Sequence, residues 1–317
     1  MKTMDRIMKS KMTYLLFLSV LITLYSCSEF YDDFFENKIE NARVETLISN
    51  FQADDGLSVD RFGNIYASRF ASFSGTTLVR VDPDTAEVTV AVDSLVNPTG
   101  NVVDEAGAIF VVNNVRRRSA DSNEIFGDVL KIASDGTRIV VATLPGFPSG
   151  ITLDRQGNIY VSNFSFPGVH KITPEGEVSV YVQDARLLGG VGIDFDFKGN
   201  LFVGNFNTGD ILQIHPDRSV EVLATIPTVV ENFVIGYITY FAGSIFATAP
   251  GEGVIYRVSM SGEASVFAGN GVKTTQDGPL EEASFNVPNG ITADPKRKVL
   301  YVTEGGDSVS LRVIRLR

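Results

Sequence analysis

One pattern recurs six times along the chain and constrains the fold more than any other feature of the sequence. Each copy is an apolar run, a tight turn rich in Asp, Gly and Asn, and a second apolar run, as in PSGITLDRQGNIYVSNF from Pro148. A glycine shared by the copies falls at Gly56, Gly100, Gly150, Gly192, Gly236 and Gly290. The resulting spacing of 42 to 54 residues is typical of the blades of a β-propeller.

A second pair of strands follows each of the first five copies and completes the repeating unit. Segments such as VLKIASDGTRIVVAT from Val129 alternate apolar and polar residues, are rich in β-branched residues and carry turn residues in the middle. This alternation predicts a β-hairpin. The sequence therefore predicts an all-β fold: a six-bladed β-propeller with four antiparallel strands per blade.

The last unit is one strand short, because only LRVIRLR, residues 311–317, follows its first hairpin. Residues 42–51, ARVETLISNF, precede the first copy and resemble the outer strands of the other units. A ring left open at this point would expose edge strands. We therefore expect the N-terminal strand to close the last blade, and the propeller to span residues 42–317.

The first 26 residues predict a signal peptide, because basic residues precede an apolar run at residues 13–24. That run is short for a membrane span, which needs roughly 20 apolar residues. The sequence Leu24-Tyr25-Ser26-Cys27 resembles the lipobox of bacterial lipoproteins, in which the cysteine is lipidated and becomes the mature N-terminus. The resemblance implies lipidation at Cys27, the only cysteine of the chain.

Residues 27–41 after this cysteine are acidic and aromatic without a clear period, and we interpret them as a tether. The acidic residues are similar to the surface-export tethers of some Gram-negative lipoproteins. We therefore expect a protein of the cell envelope, anchored through Cys27 in the outer membrane and either periplasmic or surface-exposed. The net charge of −11 argues against a nucleic-acid partner, because phosphate binding needs a basic surface.

Two of the copies carry a family resemblance: PSGI with GNIYV from Pro148, and PNGI with LYV from Pro288. A third segment, FAGNG from Phe267, is followed by DGP from Asp277 and ASF from Ala283. Together these segments resemble the NHL repeat and the related propellers of the SMP-30/gluconolactonase and strictosidine-synthase-like group. The resemblance covers nearly all of the mature chain and implies a fold rather than an activity.

The register of the repeats predicts which side chains surround the mouth of the central channel. The residues before the shared glycine are Asp55, Thr99, Ser149, Val191, Ile235 and Asn289. The ends of the second strands add Arg69, Asn113 or Asn114, Asn163, Asn205, Ala249 and Glu304. The polar members of this ring are candidates to bind a small polar molecule or a hydrated cation. The alternative is that an Asn at a strand end only caps loop backbone.

Enzymes of the SMP-30 group hold a divalent cation at this mouth, and the resemblance implies Asp55 and Asn289 as its ligands, with Ca²⁺ as the candidate ion. The acidic ligand expected from a roughly opposite blade is absent, because Thr99 and Ser149 stand in its place. Since Ca²⁺ takes roughly six to eight oxygen ligands, two ligands and water would make a weak site.

The basic cluster Arg116, Arg117 and Arg118 lies in residues 115–126, which we expect to form a loop over the mouth. Its guanidinium groups are candidates to pair with a carboxylate or an acidic sugar, and a solvated loop is the alternative. Neither histidine is a candidate catalyst, because His170 shares its register with apolar residues and His215 lies in a turn.

Two functions follow from these expectations. The first is a lipid-anchored extracytoplasmic propeller, without catalysis, that binds a small polar ligand or an envelope protein at its loop-rich face. The alternative is a metal-dependent lactonase or hydrolase of the SMP-30/gluconolactonase type, in which Asp55 and Asn289 hold a cation that polarises a lactone carbonyl. The residues leave open whether the chain is an enzyme.

Overall fold

The computed structural model describes residues 41–118, 125–228, 230–231, 233–306 and 309–316. The predicted signal peptide, the lipidation residue Cys27 and the tether lie outside these residues. Among the described residues, no helix is both long and apolar enough to span a membrane.

The described residues form six antiparallel sheets, as the repeats predict. The first strand, β1 (Arg43–Ser49), belongs to the last blade. Blade 1 comprises β2 (Leu57–Val59), β3 (Ile65–Arg69), β4 (Thr77–Asp82) and β5 (Glu87–Val92). Blade 2 comprises β6 (Pro98–Val103), β7 (Ile109–Arg118), β8 (Ile125–Ile132) and β9 (Arg138–Pro145). Blade 3 comprises β10 (Pro148–Leu153), β11 (Ile159–Asn163), β12 (Gly168–Ile172) and β13 (Val178–Gln183).

The remaining three blades repeat this order. Blade 4 comprises β14 (Gly190–Phe195), β15 (Leu201–Asn205), β16 (Asp210–Ile214) and β17 (Val220–Thr225). Blade 5 comprises β18 (Ile238–Phe241), β19 (Ser244–Ala249), β20 (Val254–Ser259) and β21 (Ala264–Ala268). The two-residue strand β22 (Gly278–Pro279) precedes blade 6, whose inner strands are β23 (Pro288–Asp294), β24 (Val299–Glu304) and β25 (Ser310–Arg315). Two short helical turns, at Ala71–Phe73 and Ala185–Leu187, lie in loops.

The predicted closure of the ring by the N-terminal strand is confirmed. β1 pairs antiparallel with β25, with Arg43 opposite Arg315 and Ser49 opposite Ser310. The outer edge of β1 is covered in turn by β22, since Val44 pairs with Gly278. Blade 6 is therefore built from both ends of the described chain.

Each blade has two ends, which define two faces of the molecule. The turn face carries the tight turns within hairpins, such as residues 60–64 and 154–158. In the first of these turns, Asp60 Oδ1 accepts hydrogen bonds from the backbone N–H groups of Phe62 and Asn64, which explains why aspartate recurs there. The mouth face carries the loops after the second strands and the connections between blades, such as residues 70–76 and 146–147.

Close approach of the inner strands explains the shared glycine of the repeats. A Cβ atom on Gly56 would lie 2.8 Å from the backbone oxygen of Thr99, and one on Gly100 would lie 2.5 Å from that of Ser149. Side chains larger than hydrogen cannot fit at such distances, so glycine lets neighbouring inner strands meet around the axis. Apolar clusters fill the spaces between blades, for example Ile65, Ala67 and Val81 of blade 1 against Tyr301 of blade 6.

Candidate functional site

The residues before the shared glycines lie at the start of the inner strands or just before them, on the mouth face. The shared glycines bring Gly56 against Thr99, and Gly290 against Asp55, which joins blade 6 to blade 1. The polar members of this ring are Asp55, Thr99, Ser149 and Asn289.

Asp55 is the centre of this group. Its Oδ1 accepts hydrogen bonds from the Tyr237 hydroxyl (2.6 Å) and from the Gly56 backbone N–H (2.9 Å). Its Oδ2 accepts one from Asn289 Nδ2 at 3.2 Å. The residue is only 7% exposed, and burial raises the pKa of its carboxyl to about 7, although these hydrogen bonds act in the opposite direction. Asp55 therefore changes charge near neutral pH.

Tyr237, which the sequence analysis did not single out, links the two sides of the ring. Its hydroxyl lies within hydrogen-bonding reach of Thr99 as well as Asp55, and burial holds its pKa well above the usual value. Thr99 in turn donates to the Ser149 backbone oxygen (3.1 Å) and accepts from Asn114 Nδ2 (3.2 Å). The sequence did hold a signal, because Tyr237 follows its shared glycine where four of the six units carry Leu or Ile.

The channel continues below Tyr237 as a cavity of about 150 Å³. Its lining mixes apolar side chains with the polar residues Ser58, Asn101, Thr152, Asp194, Thr239 and Thr292. Asp194 accepts hydrogen bonds from the Tyr240 backbone N–H (2.7 Å) and the Thr239 hydroxyl (3.1 Å). Burial raises the pKa of the Asp194 carboxyl to about 6.

The predicted mouth asparagines at the strand ends bond to the protein's own loops. Asn163 accepts from the Phe147 backbone N–H (3.0 Å) and donates to the Pro145 oxygen (2.6 Å). Asn205 donates to the Leu188 oxygen (2.8 Å), and Asn113 accepts from the Val96 N–H (2.6 Å). These side chains position the loops of the mouth. They therefore fit the alternative in which an Asn at a strand end caps loop backbone.

Glu304, also predicted at the mouth, lies in a buried ion pair. Its Oε1 is 2.7 Å from Arg312 Nη1, and both side chains are fully buried. The Asn286 backbone N–H (3.0 Å) and the Thr275 hydroxyl (2.8 Å) also donate to this carboxylate. Glu304 therefore ties the connection at residues 269–287 to blade 6.

The other predicted residues are distributed around these groups. Arg69 is partly buried at the end of β3, and the Ser149 hydroxyl donates to the Phe147 oxygen (3.2 Å). The basic segment differs from the predicted loop: β7 continues through it, with Arg117 opposite Phe126 and Arg118 opposite Ile125. The pairing of β7 with β8 shifts register between Asn113 and Arg117. The side chains of Arg116, Arg117 and Arg118 are not described.

Both histidines lie where their register places them. His170 is buried in β12 with its ring 4.7 Å from that of Phe166, and burial lowers its pKa. His215 lies in a turn with Nε2 2.9 Å from Glu221 Oε1.

The predicted metal pair, Asp55 and Asn289, is brought into contact, but the oxygen ligands around it are few. Asn289 Nδ2 donates to the Asp54 backbone oxygen (2.9 Å) and to Asp55, so its donor side faces the carboxylate. Within the described part of the chain, no group of three or more His, Cys, Asp or Glu side chains could hold a metal ion. One carboxylate and one amide do not fit the roughly six to eight oxygen ligands of Ca²⁺.

Fold and mouth together define the class of this protein: a six-bladed β-propeller whose candidate site lies at the mouth of its axial channel. Virginiamycin B lyase from Staphylococcus aureus is similar in structure (15% identity, TM-score 0.60, 87% of this chain and 99% of that chain). A gluconolactonase from Xanthomonas campestris is also similar (15% identity, TM-score 0.64, covering 88% of this chain and 91% of that chain). So is an auxiliary nutrient binding protein from Bacteroides thetaiotaomicron (15% identity, TM-score 0.65, covering 86% of this chain and 76% of that chain).

Likenesses at this level of identity show the fold alone. No protein-family model matches the chain, and no curated protein matches it significantly in sequence. The six-bladed propeller fold of the gluconolactonase-type neighbours is the fold that the SMP-30/gluconolactonase resemblance implies, and membership of that family stays a prediction. Membership of the NHL-repeat family stays a prediction.

Proposed function

We propose that this chain is a binding protein of the cell envelope, lipid-anchored through Cys27 in the outer membrane, that takes a small polar ligand at its mouth face. One observation carries the proposal: side chains from four blades, Asp55, Thr99, Tyr237 and Asn289, converge around a single buried carboxyl. The cluster adjoins the axial cavity through Tyr237, and convergent polar groups with a perturbed pKa beside a cavity are a usual setting of a ligand site.

Two further observations support a binding site at this face. Outside this cluster, the predicted polar residues Asn113, Asn163, Asn205 and Glu304 hold loops through hydrogen bonds. Such bonds keep the rim of the mouth in one arrangement, which favours binding because less ordering is needed when a ligand arrives. One similar structure is described as a nutrient binding protein.

A metal-dependent lactonase is the second candidate. The contact of Asn289 with Asp55 favours it, because the family resemblance implies these two residues as metal ligands. The similarity to a gluconolactonase agrees with this alternative. It needs a further acidic ligand, and Thr99 and Ser149 occupy the place expected for one.

The two candidates separate in one experiment on the purified mature protein. Thermal unfolding is measured with Ca²⁺, Zn²⁺ or Mn²⁺, and with D-glucose, D-gluconate, D-glucuronate and the common amino acids. Hydrolysis of D-gluconolactone is followed in parallel. A ligand present at about 100 times its Kd stabilises the folded state by about 2.7 kcal/mol, which is readily detected.

We expect a shift with a polar ligand that disappears in Asp55→Asn and Asn289→Ala but persists in Gln156→Ala, on the turn face. A ligand shift that persists in both mouth variants contradicts the proposed site. Lactone hydrolysis that depends on an added cation, and is lost with Asp55→Asn, replaces the binding proposal with the lactonase.

A further inference from the structure

Phenylalanine side chains are frequent in the mouth-face loops that run from blade 1 to the entry of blade 5. One of them, Phe166, packs its ring against His170. The other six form the set considered next: Phe70, Phe73, Phe147, Phe164, Phe206 and Phe233. We call this set the phenylalanine crescent. None of the six is fully buried, whereas Phe51, Phe202, Phe246 and Phe285 of the same chain are.

Ring contacts join the crescent into two groups. The ring centroids of Phe70 and Phe73 are 4.6 Å apart, and those of Phe73 and Phe147 are 6.0 Å apart. In the second group Phe206 lies 5.7 Å from Phe164 and 4.9 Å from Phe233. The backbone N–H of Phe164 donates to the Phe147 oxygen at 2.9 Å, so the loops that carry the two groups are adjacent.

The two ends of the crescent are its most exposed members. Phe73 is 52% exposed and Phe233 is 57% exposed. Soluble proteins rarely expose large contiguous apolar patches. An exposed apolar patch that is rimmed by polar residues is typical of a binding surface.

Both exposed ends also have a strained backbone. Phe73 has φ of 71° and Phe233 has φ of 60°, in the left-handed region that bulky residues avoid. Such a conformation costs about 1–3 kcal/mol and persists only where the surroundings impose it. For Phe73 they do, because Asp54 Oδ1 accepts the N–H groups of Phe70 (2.9 Å) and Ala71 (3.1 Å).

The crescent is continuous with the polar cluster at the mouth. Asp54, which holds its first turn, is adjacent in sequence to Asp55. At the other side, the Ser149 hydroxyl donates to the Phe147 backbone oxygen at 3.2 Å. The polar cluster and the crescent are therefore neighbours on the mouth face.

We infer that the crescent binds the apolar body of a small amphipathic molecule, one that carries an aromatic or aliphatic ring beside the polar groups received at the mouth. This inference rests on the proposed function and specifies its ligand. Phenyl rings offer area and stacking but no hydrogen bonds, so they select an apolar ring face. Phe73 and Phe233 are then specificity-determining residues.

The test uses 1-anilinonaphthalene-8-sulfonate, a small amphipathic ring compound whose fluorescence reports binding. We expect saturable binding that weakens about tenfold or more in the double variant Phe73→Gly with Phe233→Gly. Glycine adopts the positive φ at both positions without strain, so this variant is expected to fold with a Tm close to that of the parent protein. The matched control is Phe62→Ala with Phe197→Ala, which removes two exposed phenylalanines from the turn face.

The outcomes separate this inference from the proposed function. Binding that is weakened by the crescent variant but not by Asp55→Asn or Asn289→Ala supports the crescent and counts against the polar mouth. Binding weakened by both kinds of variant supports both. An unchanged Kd in a folded crescent variant overturns the inference, as does equal weakening by the turn-face control. Crescent-dependent sedimentation with phosphatidylglycerol vesicles, without saturable probe binding, overturns it in favour of a lipid surface.

Discussion

At the scale of single residues, the mouth is governed by how Asp55 is solvated. Its hydrogen-bond partners are the neutral Tyr237 hydroxyl, an amide and a backbone N–H, and burial outweighs them in raising its pKa to about 7. A carboxyl that is neutral in part at neutral pH can both donate and accept hydrogen bonds. This makes Asp55 suited to bind hydroxyl or carbonyl groups of a ligand.

The raised pKa predicts a pH dependence of stability. Between the unfolded pKa of 3.8 and the folded pKa of about 7, folding takes up a proton at Asp55. Its contribution is therefore fully present below the unfolded value and is lost as the pH rises through the folded value.

We expect that loss to be about 4 kcal/mol between about pH 4 and about pH 8, and to be missing in Asp55→Asn. Urea unfolding across this range measures it. Asp194 contributes with the same sign in both proteins, so the difference between them reports Asp55. In Tyr237→Phe the pKa of Asp55 should rise further, because that hydroxyl lowers it, and the loss should move to higher pH. Identical pH profiles for the parent and Asp55→Asn would contradict the assignment.

The contact between Asp55 and Asn289 was predictable, because the repeat places both at the start of an inner strand and closure makes their blades neighbours. Tyr237 was missed for a physical reason. A repeat marks which residues share a register, but not how far a long side chain reaches across the axis, as Tyr237 does from blade 5 to Asp55.

At the scale of strands and loops, the fifth-to-sixth blade connection is fixed by one buried cation. Arg312 in β25 donates to Glu304 in β24 (2.7 Å) and to the Ser284 oxygen (2.9 Å). It also donates to Asp277 (2.9 Å), which accepts from the hydroxyl of Thr46 in β1 at 2.8 Å. This network joins the connection to both terminal strands.

Alternation and turns were enough to predict the strands, whereas this network was not predictable. Glu304 belongs to the mouth by register, but the pairing of Val302 with Arg312 puts Arg312 diagonally across from it. That pairing depends on the loop after β24, whose length differs from that of the other blades. Partners of long side chains thus depend on loops that the repeat does not describe.

Removing the buried cation should destabilise the propeller strongly. In Arg312→Met, Glu304 stays buried without its charged partner, which typically costs about 3–5 kcal/mol. The free energy of unfolding in urea measures this loss. The control is Arg138→Met, which breaks an exposed pair with Asp93 (2.9 Å) and should change stability little. Similar losses in both variants would show that the buried network does not stabilise the fold.

At the scale of the whole molecule, the two faces have different roles. β1 begins at Arg43 opposite Arg315 and ends near the mouth face, where the Phe51 N–H donates to the Val309 oxygen at 2.8 Å. Because Arg43 lies at the end of the blade that faces away from the mouth, a chain arriving from Cys27 would reach the propeller at its turn face.

This geometry predicts that anchoring leaves the binding face open. An anchor that joins the propeller at the Arg43 end of β1 does not have to cover the mouth or the phenylalanine crescent. We expect Cys27→Ser to move the protein from the membrane fraction to the soluble fraction. The anchored and released forms should then bind 1-anilinonaphthalene-8-sulfonate with the same Kd, after subtraction of the signal from membranes that lack the protein. Retention of Cys27→Ser in the membrane fraction would contradict the anchor. Weaker binding by the anchored form alone would contradict this expectation, because it would show that the anchor or the lipid obstructs the mouth.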